Sequence, residues 1–141
     1  MAVLLDAHAA IAFLRGEPAA KEVGRLLEQG DAVMHPLNVG EVLDRMSRLN
    51  GADPDDVEAD LALAGVHPVD VDPAILVDAG RWRGRHYHRK DRPVSLADCV
   101  AGLSAVVLDL PFATSDRPCA EMVREEGGEV LALPDTRGRR P

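Results

Sequence analysis

Short apolar runs alternate with amphipathic stretches along the whole chain. Val3-Leu4-Leu5 ends abruptly at Asp6, and helical spacing of apolar residues follows through Leu14. Glu17-Pro18 opens a second helix with Val23, Leu26 and Leu27 on one face, closed by Gly30. Ala32-Val33-Met34 reads as a second strand. From Pro36 a helix runs to Asn50-Gly51, a favoured C-terminal stop. Asp53-Pro54 supplies an N-cap and a first helical residue for the next helix, which ends near Gly65. Residues 66–71 form a third strand candidate, weakened by Pro68. Asp72-Pro73 starts a helix that reaches about Trp82 or a little beyond. Ser95-Leu96-Ala97-Asp98 resembles a capping box with Asp in place of Glu. Leu96, Cys99, Val100, Leu103, Val106, Val107 and Leu110 then recur at helical spacing until Pro111. Phe112-Ala113-Thr114 is a fourth strand, residues 116–126 a short helix ended by Gly127-Gly128, and residues 130–133 a fifth strand.

Strands alternating with helices predict an α/β layer fold with a mainly parallel sheet, to which five strand candidates contribute. Right-handed crossovers place all strand C-termini at one edge, where ligands bind in such folds. Four carboxylates are directed there. Asp6 follows the first strand, Glu41 lies early in the helix after the second, Asp98 opens the long helix before the fourth, and Asp116 follows the fourth. Each has an ordinary structural use. Asp6 and Asp116 suit N-caps, Asp98 suits the reciprocal partner of Ser95, and Glu41 suits an ion pair with Arg45. Together they repel one another, and a divalent cation relieves that repulsion. An all-oxygen set favours Mg²⁺ or Mn²⁺ over Zn²⁺. Acid-held Mg²⁺ commonly serves phosphodiester hydrolysis.

Length and composition narrow the alternatives. A chain of 141 residues suits one domain, and its 46% hydrophobic content supports a real core. No apolar run approaches the ~18 residues of a membrane span, and the N-terminus lacks a basic leader. Cys99 and Cys119 stand far apart, as free thiols would in a reducing cytoplasm. No GxxxxGK or GxGxxG nucleotide loop occurs. A phosphatase with an aspartyl nucleophile needs a second Asp where His8 stands. A phospho-accepting receiver needs an acceptor after the third strand, where Asp70 and Asp72 flank a doubtful strand.

In this order and spacing the motifs resemble the PIN-domain family, in particular VapC-type toxins of type II toxin–antitoxin pairs. The resemblance rests on Val3-Leu4-Leu5-Asp6-Ala7-His8, Asn38-Val39-Gly40-Glu41-Val42-Leu43, Ser95-Leu96-Ala97-Asp98-Cys99-Val100-Ala101 and Phe112-Ala113-Thr114-Ser115-Asp116-Arg117. Successive acids are 35, 57 and 18 residues apart. It implies a three-layer α/β/α sandwich over residues 1–134, followed by a flexible basic tail over residues 135–141. It implies Asp6 and Asp98 as principal Mg²⁺ ligands (Mn²⁺ substituting), with Glu41 and Asp116 completing the catalytic set and Thr114 supporting it. The implied activity is Mg²⁺-dependent endoribonuclease cleavage of tRNA, rRNA or mRNA. The implied partners are a small cognate antitoxin and a second copy of the chain. Ala7 replaces a common hydroxyl residue. At His8 a metal or acid–base role stands beside a capping or packing one, and His35 is open to the same question. A rival reading within the family is a binding module acting mainly in a toxin–antitoxin repressor complex. Another Mg²⁺-dependent phosphoester hydrolase is a further alternative.

Charge decides where RNA fits. The formal net charge is −8, yet residues 81–92 contribute +5 and residues 135–141 contribute +2, leaving −15 on the rest. The cations of the first segment are Arg81, Arg83, Arg85, Arg89, Lys90 and Arg92, interleaved with Trp82 and Tyr87. Cations for phosphates and rings for bases make it a candidate RNA contact. A solvated helix end, its cations meeting the helix dipole, is the plainer alternative. His86-Tyr87-His88 is a poor metal motif, because i and i+2 on a helix face apart. The remaining surface offers RNA no general attraction, so binding has to be local.

Overall fold

The computed structural model describes residues 2–141. Five strands form one parallel sheet in the order β3-β2-β1-β4-β5. They are β1 (Val3–Leu5), β2 (Ala32–Met34), β3 (His67–Pro68), β4 (Phe112–Thr114) and β5 (Val130–Ala132). The helices are α1 (Ala7–Arg15), α2 (Ala20–Glu28), α3 (Pro36–Asn50), α4 (Pro54–Ala64), α5 (Ala74–His86), α6 (Leu96–Val107) and α7 (Arg117–Glu125). This is the expected three-layer arrangement. Among the described residues no helix is long and apolar enough to cross a membrane.

The period of two along each strand divides the interior into two cores. Val3 and Leu5 join Ala32, Met34 and Ala113 beneath α1–α4. Leu4 and Phe112 face the other way, into α5–α7. With few aromatics, both cores are built mostly from Ala, Val, Leu, Cys and Met. The second holds Trp82, 5% exposed, on a stripe with Ile75, Ala79 and His86.

Caps set several helix limits. His35 and Pro36 open α3, and Gly51 at φ 67° closes it in the left-handed region that glycine tolerates. Asp53 caps α4. Gly102 lets α6 approach α7 closely: a Cβ there would meet Val123 Cγ2 at 2.9 Å. That approach brings together the helices that open at Asp98 and Asp116.

Some limits differ from the sequence expectation. β3 is two residues long rather than spanning 66–71; the Val69 amide still donates to the Met34 carbonyl, and Pro68, its nitrogen facing away from β2, is tolerated because β3 is the sheet edge. Glu17 belongs to a turn, its carbonyl accepting from the Ala20 amide, so α2 begins three residues later. α5, by contrast, ends at His86, a little beyond Trp82 as the pattern allows. α6 stops at Val107, because Asp109 turns the chain at φ 54° and the Leu110 amide returns to the Ala105 carbonyl. The tail touches the body through Arg140, which pairs with Glu22 and donates to the Ala132 carbonyl, while Asp135 Oδ1 accepts from the Arg137 and Arg139 amides within the tail. Cys99 and Cys119 are free and buried, as expected of unpaired thiols.

Candidate active site

The four acids stand at the C-terminal edge of the sheet, and the backbone there explains how. Asp6, 1% exposed, caps α1: its Oδ1 accepts from the Ala9 amide at 2.8 Å. Its Oδ2 accepts from the Thr114 hydroxyl. The Thr114 oxygen in turn accepts from the Asp116 amide at 3.0 Å, so one side chain ties the ends of β1 and β4. Asp98 forms the capping box with Ser95, whose amide donates to Asp98 Oδ2 at 2.8 Å. Asp116 caps α7, its Oδ2 accepting from the Cys119 amide at 3.1 Å. Glu41 Oε1 accepts from Asn38 Nδ2 at 3.3 Å. The ordinary structural uses and the shared site therefore coexist. One oxygen of Asp98 and one of Asp116 serves a helix terminus, while the other approaches His8 Nε2 at 3.9 and 4.0 Å.

The charges are coupled. Burial lifts the Asp6 carboxyl from 3.8 to about 6, against the lowering influence of His8 and of the Thr114 and Ala9 hydrogen bonds. Burial also raises Glu41, with Asp98 adding repulsion, while Asn38, Arg45 and His8 oppose. Burial disfavours the charged His8 imidazole, but Asp6, Asp116 and Asp98 overcome this and raise its pKa. Four carboxylates share this one imidazole. His35 takes the other course: it caps α3, with Nδ1 accepting from the Leu37 amide at 2.9 Å, and burial lowers its pKa.

Three residues of the site escape the motif reading. Asn38 is buried, donates both to Glu41 and to the Ala97 carbonyl at 3.0 Å, and leaves its Oδ1 without a partner. It links α3 to the first turn of α6. Its position three residues before Glu41, on the same helix face, is the signal that was available. Cys119 lies three after Asp116. Its Sγ, a carboxylate oxygen of Asp6 and a ring nitrogen of His8 lie within 4.8 Å of one another. Burial holds the Cys119 thiol well above its usual pKa. Arg45, read from the sequence only as a partner for Glu41, lines a cavity beside His8 and Asp116. Carboxylates with raised pKa values and incompletely used oxygens suit a hard divalent cation. His8 and Cys119 add softer donors at one side of the same space.

Residues 3–124 match the family model described as PIN domain. The chain belongs to the PIN-domain family. PIN domains are nucleases that work with divalent metals, in keeping with the donors gathered here. No curated protein matches the chain. Among solved structures, VapC20 of Mycobacterium tuberculosis, a sarcin-ricin loop cleaving toxin, superposes with a TM-score of 0.64 at 15% identity, over 99% of this chain and 100% of that one. PAE2754 from Pyrobaculum aerophilum gives 0.61 at 20% identity, over 92% of each chain. FitAcB from Neisseria gonorrhoeae gives 0.58 at 22% identity, over 92% of this chain and 96% of that one. At these identities the likeness establishes the fold.

The basic segment of this PIN domain is largely engaged within the protein. Arg85 and His86 bond Glu126 Oε1 at 2.6 and 2.7 Å. Arg92 makes a two-pronged bond to Glu125 at 2.7 and 2.8 Å. Arg81 pairs with Asp78. Arg83 donates to the Val94 carbonyl and lies over the Tyr87 ring. Trp82 is core, so it is no stacking platform, whereas Tyr87 is 45% exposed. His86 is buried in this seam.

Proposed function

We propose that this PIN domain is a Mg²⁺-dependent endoribonuclease of the VapC type, acting as the toxin of a toxin–antitoxin pair. The activity is assigned to one domain over residues 1–134. A small antitoxin and a second copy of the chain are its proposed partners. The observation that carries the reading is the gathering of Asp6, Glu41, Asp98 and Asp116 from four distant segments around a single imidazole. Likeness to a sarcin-ricin loop cleaving toxin supports RNA as the substrate class.

Asp6 and Asp98 are assigned as the principal ligands of Mg²⁺ or Mn²⁺, with Glu41 and Asp116 completing the set. A divalent cation there supplies positive charge against a phosphodiester and makes water a better nucleophile. The chain's own residues then have distinct tasks. Thr114 fixes Asp6 through its hydroxyl hydrogen, and Asn38 fixes Glu41 through its amide. The Ser95 amide orients Asp98. His8, between Asp98 and Asp116, is placed to hold a proton beside the reacting phosphate.

Induced expression in a bacterial host tests the reading. The wild type arrests growth and cleaves RNA, whereas Asp6→Asn and Asp98→Asn do neither while remaining folded by circular dichroism. Full activity in either variant contradicts the site assignment.

A further inference from the structure

Most arginines near the sheet edge have acidic partners. Arg45 is half-buried on α3, one turn after Glu41, and among the described residues no hydrogen bond or ion pair engages its guanidinium. It acts on Glu41 and His8 only through space. A partly desolvated cation with unused donors is costly unless an anion completes it.

The surrounding space has room for one. Arg45 lines a cavity of about 320 Å³ with His8, Arg15, Asp116, Glu17 and Asp135; Asp135 is taken up by Arg139 and Glu17 by Arg15. Arg15 is held only loosely, 4.0 Å from Glu17. A neighbouring cavity of about 430 Å³ shares Ser115 and Asp116 and extends to Arg117, Arg139 and Arg140. A continuous polar groove therefore passes Asp116. Among the described residues its unpaired cation lies at the α1–α3 end, because Arg117, Arg139 and Arg140 pair with Glu121, Asp135 and Glu22.

We infer that the cavity between α1 and α3 is a phosphate subsite for the substrate strand, with Arg45 holding a backbone phosphate beside the scissile one and Arg15 at its outer edge. The strand thus crosses Asp116 on this side of the sheet, not along residues 81–92. The geometry favours a phosphodiester over free phosphate: one negative charge per unit is better tolerated beside four acids than a dianion. The guanidinium fork matches two oxygens of one phosphate. Identifying the strand as RNA rests on the proposed nuclease function.

The test measures binding of a labelled single-stranded RNA to the Asp98→Asn chain, by fluorescence anisotropy over a series of salt concentrations. Adding Arg45→Gln weakens binding about tenfold and lowers the log–log salt slope by about 0.7, the share of one phosphate contact on a single strand. Arg48→Gln removes the same charge from the same helix, where Arg48 pairs with Asp44, and leaves affinity within about twofold. Arg45→Lys restores part of the loss. Unchanged affinity and slope in Arg45→Gln overturn the inference, as does a loss confined to Arg89→Gln. Binding in an inactive chain separates this result from the nuclease reading. A wild type that cuts no RNA, with binding weakened by Arg45→Gln, removes that reading and keeps the subsite. A wild type that cuts, with binding unmoved, does the reverse.

Discussion

Two regions of this PIN domain are dense in charge, and they are built oppositely. In the seam between α5 and α7, Arg85, His86 and Arg92 meet Glu125 and Glu126 at 2.6 to 2.8 Å. At the sheet edge, Asp6, Glu41, Asp98 and Asp116 face His8, 3.9 and 4.0 Å from two of them, and Glu41 also feels Arg45 through space, so among the described residues four acids meet two cations. The seam closes its own charges and needs no ligand. The edge leaves negative charge uncompensated and holds it in place with helix caps. What distinguishes a site from a structural network here is the deficit of counter-charge, not the amount of charge.

The largest contrast is expected in catalysis. Asp98→Asn lowers RNA cleavage by roughly a hundredfold or more, because it removes a carboxylate ligand, while Glu125→Gln in the seam stays within about twofold. Cleavage of a labelled RNA measures both, and equal losses would erase the distinction between the regions.

Metal-linked stability sharpens the same comparison. Mg²⁺ or Mn²⁺ at about a hundred times its Kd stabilises the wild type by about 2.7 kcal/mol, a rise in Tm of several degrees. The rise persists in Glu125→Gln and disappears in Asp98→Asn. It is also larger at pH 7.5 than at pH 5, where Asp6, with a pKa of about 6, is mostly protonated. Without metal the sign reverses. Folded Asp6 keeps a proton that the unfolded chain releases near 3.8, so the contribution of Asp6 to stability is full below that value and is lost as pH rises through about 6. The fall is on the order of 3 kcal/mol, and Asp6→Asn flattens it, as denaturant titrations at successive pH values will show.

Smaller effects belong to the seam. His86→Ala removes a buried partner of Glu126 and costs about 1–2 kcal/mol in urea unfolding, with the metal-induced shift retained. Arg81→Ala breaks one exposed pair with Asp78 and changes stability by less than about 0.5 kcal/mol.

The sequence displayed much of this plan because local chemistry set it. The limits of β1, β2, β4, α3 and α4 follow from caps, prolines and glycines within a few residues of each end. The four acids were visible for the same reason: three of them cap or box a helix. Tertiary contacts decided the rest. β3 pairs on one side only, at the sheet edge, which is where Pro68 can be tolerated. Trp82 resembles an exposed ring among arginines, yet the stripe Ile75, Ala79, Trp82, His86 turns it inward. The acids that neutralise the basic segment lie 33 to 41 residues further on, in and just after α7. Asn38, Arg45 and Cys119 gained their places only when α3, α6 and α7 met.

The most direct test is a mapped digest of total cellular RNA by the purified protein, run with Mg²⁺ and with chelator, beside folded Asp98→Asn. Discrete cuts made by the wild type in Mg²⁺ alone, and absent with Asp98→Asn, are the expected result. Equal cutting with chelator or by Asp98→Asn, or no cutting by the wild type in Mg²⁺ or Mn²⁺, would contradict the claim that the uncompensated acids form a metal-dependent ribonuclease site.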